Sequence, residues 1–260
     1  STAEMATYHD KGLIIPGEFR LPDETVNRLR DAVDRVVALN PDTPSDHLIN
    51  VHMDRAPPFD LRGDSVFAEL VANPDILNMV EQLIGPDIIL WSTHLFCKPA
   101  ATGREVPWHQ DGYYWPIRPL ATCTAWVAID DTGLDNGALR YIPGSHKMGT
   151  FEHRTDMDPR LSLHQVVDDP KFDPRAEKYV EMRAGQLSLH DVHILHGSAA
   201  NTSGRRRAGL AIRYMPATSV LRRDLDMAKT SRLDWSTLPL SLMRGENTNG
   251  ANDLVVGHPR

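Results

Sequence analysis

From residue 87 to about residue 215 the chain is a succession of short runs rich in β-branched and aromatic residues, cut by PAATGRE, DTGLDNG, PGSHKMG, RAGQ and NTSGRR. Gly, Pro and Asn-Gly pairs at that density leave no room for helices of ordinary length, so this texture requires strands joined by turns. Strands are predicted at 88–98, 107–113, 121–130, 138–143, 179–183, 186–190, 193–198 and 207–215. Such a set suits an antiparallel sandwich or jelly roll, which manages its own sheet edges.

The preceding residues have a different period. LPDETVNRLRDAVDRVVALN places Val26, Leu29, Val33, Val36 and Val37 at helical spacing behind Pro22, Asp23 and Glu24, which predicts an amphipathic helix. SVFAELVANPDILNMVEQLIG is interrupted at Asn73-Pro74 and stopped at Gly85-Pro86, so two short helices are expected. The fold class expected is mainly β with flanking helices. It comprises a helical part at 1–86, a jelly-roll core at 87–215 and an extension at 216–260 within a single domain. The polar, weakly periodic segment from Met148 to Lys178 is a lid candidate, because long insertions in compact domains are functional or mobile.

Composition narrows the function classes. A hydrophobic fraction of 41% and a charged fraction of 24% suit a soluble globular chain able to bury a core without staples. A net charge of −7 opposes phosphate backbones, and the basic run Arg205 to Arg207 is too short for a duplex, so nucleic acid is not an expected partner. STAEMATYHDKG lacks the basic start and apolar stretch of a secretion signal, and no apolar run approaches the roughly 20 residues of a bilayer span. A cytoplasmic protein without a membrane partner is expected. Cys97 and Cys123 lie in apolar, strand-like stretches and are read as reduced core thiols.

The chemistry is concentrated in PWHQDGYYW, residues 107–115. On a strand, residues two apart share a face, so His109 and Asp111 can both address one ion. His-x-Asp alone is a weak signal, since His52-Met53-Asp54 repeats it. A second element, HDVHILHGSAANTSGRRRAGLAIRY, offers a third ligand from His190, His193 or His196. Two histidines and one carboxylate on one side of an ion leave positions open, as in non-haem Fe(II) oxygenases, whereas a closed structural zinc site wants four protein ligands. His196 stands directly before Gly197-Ser198, with Arg207 eleven residues further on, where a guanidinium fork suits a carboxylate lying against a metal.

FCKPAATGREVPWHQD, YYWPIRP, CTAWVAIDD, NGALRYIPGSHK and HGSAANTSGRRRAG, in that order, resemble the phytanoyl-CoA dioxygenase family of Fe(II)- and 2-oxoglutarate-dependent oxygenases, over about Tyr8 to Tyr214. The resemblance implies a double-stranded β-helix (a jelly roll, cupin-like) with iron held by His109, Asp111 and His196. It also implies Arg207 as anchor of the distal carboxylate of 2-oxoglutarate, with Ser198 and Trp126 beside that co-substrate. O2 would be the oxidant, succinate and CO2 the co-products, and a small molecule the substrate. Asp111 favours hydroxylation over halogenation, because halogenating relatives lack the carboxylate. Desaturation, cyclisation or epimerisation at the same iron, or a cupin-like binding protein without turnover, are the competing outcomes. Residues 216–260 match nothing in the family.

Alternation in IILWSTHLFCK places Ser92, His94, Phe96 and Lys98 on one face, expected to line the cavity, and Trp91, Thr93, Leu95 and Cys97 on the other. His94, Phe96, Tyr113, Trp115 and Arg118 are therefore candidate substrate contacts. Trp108, Tyr113, Tyr114 and Trp115 are candidate shields of the metal. Asn50 and His52 are placed on a loop capping the mouth, and His146 is read as a structural residue of the PGSHK turn.

Overall fold

The computed structural model describes residues 1–56, 60–225, 234–248 and 250–258. Its helical part has four helices among the described residues. The first, α1 (Thr2–Lys11), was not foreseen, although Ser1 and Glu4 form a capping box that signals its start and Gly12 closes it at φ 79°. The amphipathic helix is α2 (Asp23–Leu39), burying Val26, Leu29, Val33 and Val36. The two short helices are α3 (Ser65–Val71) and α4 (Pro74–Ile84), the latter capped by the Asn73 side chain, which accepts from the Asp75 and Ile76 amides.

The strands that position the site are β1 (Leu13–Ile14), β2 (Leu48–Ile49), β3 (Ile88–Lys98), β4 (Val106–His109), β5 (Cys123–Ala128), β6 (Leu139–Tyr141), β7 (Lys178–Val180), β8 (Leu187–Asp191), β9 (His196–Ser198), β10 (Arg207–Pro216) and β11 (Ser241–Arg244). The large sheet runs β1-β8-β5-β10-β3-β11, with β2 also paired to β3, and the smaller sheet runs β7-β6-β9-β4. Among the described residues, the strand pairings of both sheets are antiparallel.

Because opposed residues of an antiparallel pair share a face, the register sorts the large sheet into two layers. Leu187 and Leu189, Cys123, Ala125 and Val127, Ala208, Leu210 and Ile212, and Leu95 and Cys97 pack in one cluster with the buried sides of α2, α3 and α4. The opposite layer faces the smaller sheet. It holds Gly209 against Phe96 and Ala128, Ala211 against His94 and Trp126, and Arg213 against Ser92 and Thr124.

Several expected boundaries move. The 107–113 strand ends at His109, and Asp111–Tyr113 form a 3-10 turn. The 193–198 strand is only His196–Ser198. Residues 216–260, for which the sequence offered no placement, supply the edge strand β11 and the buried Trp235, Leu238 and Leu240. These pack with Ile89, Trp91, Trp115 and Met215. The lid candidate carries a two-stranded ribbon, His153–Thr155 with Gln165–Val167. It is anchored: Phe151 and Val167 pack on Trp108, Ile142 and Leu195. Cys97 and Cys123 are both buried free thiols, on strands separated by β10.

Candidate metal and co-substrate site

His109 ends β4 and His196 opens β9, and the pairing of these two strands sets the histidines directly opposite each other, with ring centroids 4.2 Å apart. Asp111 reaches them from the 3-10 turn rather than from a shared strand face, as the sequence reading had it. Gln110 fixes that turn. Its side-chain amide donates to the carbonyls of His193 and Gly149 at 2.6 and 3.0 Å and accepts from the Phe151 amide.

One atom each of His109, Asp111 and His196 lies within 4.8 Å of the others, and all three residues are buried. Nε2 of His109 is 3.5 Å from one Asp111 oxygen and Nε2 of His196 is 3.9 Å from the other. Nδ1 of His109 sits 2.8 Å from the Pro107 carbonyl and Nδ1 of His196 sits 3.1 Å from that of Ile194. A carbonyl only accepts, so each Nδ1 carries the proton and each Nε2 presents a lone pair inward. Burial alone would raise the Asp111 carboxyl, but the adjoining His109 ring and the charge of Arg213 hold it well below the usual carboxylate range. Burial pushes the His196 ring far below its ordinary value, so the ring is neutral and able to ligate. Tyr114 donates its hydroxyl to Asp111 at 3.3 Å, and its ring stacks on His109. Two imidazoles and an ionised carboxylate on one side of a point fit a ferrous ion with open positions. The alternative pair does not join them: His52 contacts Thr93 Oγ1 and Asp54 is exposed.

The cluster lines a cavity with an empty volume of about 430 Å³, which also includes Phe96, Trp126, Ser198 and Arg207. Arg207 is 2% exposed, and burial pushes its guanidinium down to about 10. Its Nε and Nη2 both donate to the Gly137 carbonyl, and its charged centre lies 5.2 Å from the Trp126 ring centroid. Ser198 Oγ accepts from the buried Lys98 Nζ at 2.7 Å, which frees the serine hydroxyl proton for a further acceptor.

Other candidates are placed elsewhere. His94 is stacked on Phe96 and bonded through Nε2 to the Asp46 carbonyl at 3.1 Å, so it is a core histidine behind the cavity wall. Trp115 packs edge-on against Trp91 in a core cluster, and Tyr113 stacks on His153. Arg118 is exposed and donates to the carbonyls of Trp115 and Ile117. None of these four is in the cavity wall. Of the proposed shields, Trp108 packs in the smaller sheet's cluster beneath Arg140, and Tyr114 alone contacts the metal cluster. Asn50 and His52 are tied to Thr93 on the outer face of β3, away from the mouth. His146 bonds through Nε2 to the His9 carbonyl, holding the end of α1. Sequence reasoning missed Thr124, His190 and Arg213 as a group. Their common cavity face follows only from the pairing of three strands.

A jelly roll that closes two histidines and a carboxylate over a buried arginine has the architecture of the non-haem oxygenases. The phytanoyl-CoA dioxygenase (PhyH) family model matches residues 8–209, and the chain belongs to that family. Among its relatives is a probable alpha-ketoglutarate-dependent hypophosphite dioxygenase of Stutzerimonas stutzeri. It is 32% identical over 151 residues, covering 57% of this chain and 52% of the relative. The L-proline trans-4-hydroxylase of Streptomyces griseoviridis is 31% identical over 175 residues, 60% of this chain and 65% of that protein. The non-heme monooxygenase ThoJ in its apo form superposes with a TM-score of 0.74 at 26% identity, over 95% of this chain and 85% of that one. The chain spans about half the length of the first curated relatives it matches.

Proposed function

We propose that the chain is an Fe(II)- and 2-oxoglutarate-dependent dioxygenase that hydroxylates a small organic molecule, with His109, Asp111 and His196 as the iron ligands. The observation that carries this is one cavity lined both by the buried His-Asp-His cluster, with its inward lone pairs, and by a buried arginine positioned for a carboxylate. Bound there, iron supplies O2 activation coupled to oxidative decarboxylation of 2-oxoglutarate to succinate and CO2.

The protein's part is positioning and exclusion of water. The carbonyls of Pro107 and Ile194 hold both rings in the ligating tautomer. Tyr114 orients the carboxylate of Asp111. Arg207 exchanges its two donations to Gly137 for the distal carboxylate of 2-oxoglutarate, a charge-assisted pair in a desolvated setting. Ser198 adds a hydroxyl donor, and Trp126 walls the guanidinium with its ring. Phe96 supplies an apolar wall. The substrates that the relatives' names give, hypophosphite and L-proline, are both small molecules, which supports this reading. The described residues contain no helix long and apolar enough to cross a membrane, and the two buried thiols suit the reducing cytoplasm to which we assign the protein.

The test is succinate formation from 2-oxoglutarate with Fe(II), across small-molecule substrates, followed by product mass. A gain of one oxygen is expected. Loss of two hydrogens, or an unchanged mass with inverted stereochemistry, would replace hydroxylation with desaturation, cyclisation or epimerisation at the same site. Absence of Fe(II)-dependent turnover with every substrate would leave a binding protein.

A further inference from the structure

The inner layer of the large sheet contains one row whose hydrogen-bonding groups the metal and co-substrate site leaves unused. Reading across the pairings, Ser92 of β3 opposes Arg213 of β10, Arg213 opposes Thr124 of β5, and Thr124 opposes His190 of β8. Arg213, Thr124 and His190 all line the cavity that holds the metal cluster. Thr124 Oγ1, both ring nitrogens of His190 and Nε of Arg213 are buried and make no hydrogen bond. Each buried polar atom left so loses its hydration without recompense, and a cluster of them facing one cavity calls for a ligand that satisfies them together.

Arg213 is 9% exposed and forms no ion pair among the described residues. Its guanidinium centre lies 5.6 Å from the Trp91 ring centroid and 5.1 Å from that of Trp115. Trp91 reaches it because the β3–β10 register slips by one residue between Arg213 and Tyr214, leaving Trp91 as the extra residue. A cation held dry between two indoles lacks the neutralising charge that buried cations require. Asp111 lowers that cost only from a distance, since its oxygens face the two histidines.

We propose that this row is the recognition site for an anionic group of the primary substrate, a carboxylate or an oxyanion of similar size. Arg213 supplies the charge, and Thr124 and His190 supply neutral donors. This deepens the reading of the protein as a 2-oxoglutarate oxygenase and rests on it. The anion is distinct from the distal carboxylate of 2-oxoglutarate. Arg207 and Arg213 share a face of β10 but lie six residues apart, roughly 20 Å along an extended strand, so they serve two anionic groups. His190 stands 5.0 Å from the His196 ring, centroid to centroid, so the anion is held beside the metal cluster. The substrate is accordingly a small acid whose reacting atom lies within a few bonds of its charge.

The experiment uses the full chain loaded with Mn(II) and saturating 2-oxoglutarate, and measures paramagnetic relaxation of the protons of acetate, hypophosphite and neutral acetamide. Saturable relaxation of one or both anions, and none of acetamide, is expected. Acetate relaxation identifies a carboxylate site; relaxation confined to hypophosphite identifies a phosphorus oxyanion. Arg213→Met should weaken the relaxed anion at least tenfold, Thr124→Val should weaken it less, and Arg213→Lys should restore part of the affinity. Equal relaxation by acetamide, no saturable anion, or an unchanged affinity in Arg213→Met would overturn the proposal while Mn(II)-dependent 2-oxoglutarate binding stood. Loss of 2-oxoglutarate binding in Arg213→Met would also overturn it, by assigning Arg213 to the co-substrate. Failure of the native chain to bind Mn(II) and 2-oxoglutarate would overturn the underlying reading, and the proposal with it.

Discussion

Three consecutive arginines, Arg205 to Arg207, meet three different fates. Arg205 pairs with Asp135 on the surface, Arg206 bridges Asp130 and Asp34, and Arg207 alone is buried, with its fork on a main-chain carbonyl. A carbonyl is a weaker partner for guanidinium than a carboxylate, so Arg207 has more to gain from an anionic ligand than its neighbours do. Arg207→Lys and Arg207→Ala should each raise the Michaelis constant for 2-oxoglutarate at least about tenfold, roughly 1.4 kcal/mol, because lysine cannot reproduce the planar fork. Replacing Arg205 or Arg206 should change it little. Steady-state kinetics with varied 2-oxoglutarate checks this, and the reverse pattern would place the anchor elsewhere.

Among the strands, β10 shows how closely its neighbours are fitted. A Cβ built on Gly209 would stand 2.0 Å from the Trp126 ring, so only glycine lets that indole lie across the strand beside Arg207. Gly209→Ala should therefore cost stability, about 1–3 kcal/mol by denaturant unfolding, and weaken 2-oxoglutarate binding as Trp126 is displaced. Unchanged values for both would mean the indole has another resting place. The core strands between Ile88 and Pro216 were legible because turn residues bracket each apolar run, and α2 because its apolar stripe keeps one period, whereas the ribbon of His153–Thr155 and Gln165–Val167 lies in a polar, weakly periodic segment and was not. That Asp111 shares a cluster with His109 was legible from its spacing, though not the 3-10 turn that carries it. The facing of Trp91 was not legible, since a one-residue slip inverts the alternation and the slip depends on pairing with β10. His94 looked like a cavity residue for a different reason. Alternation gives its face, but not that its ring turns back to the Asp46 carbonyl. The spacing of His196 ahead of Gly197-Ser198 and Arg207, together with the family resemblance, singled it out from His190 and His193.

Over the whole molecule, burying neutral histidines ties stability to pH. Burial pushes the His52 and His190 rings down to about 4, whereas in the unfolded chain they titrate near 6.5. Between those values the unfolded chain binds protons that the folded chain refuses, so stability is full above about pH 6.5 and falls as pH drops toward 4. The fall is up to about 1.4 kcal/mol per pH unit for each ring. Denaturant unfolding of metal-free protein at intervals from pH 7 to pH 4 should show this decline, and His52→Asn should flatten it. A profile identical in that variant would remove His52 as a cause. The most direct test of the central claim is equilibrium binding of Fe(II) and 2-oxoglutarate to the full chain under anaerobic conditions. One Fe(II) per chain is expected, with 2-oxoglutarate binding dependent on it, and His109→Ala, Asp111→Ala and His196→Ala should each lose the metal while keeping the native circular dichroism. Iron binding undiminished in His109→Ala, or 2-oxoglutarate binding indifferent to iron, would contradict the account.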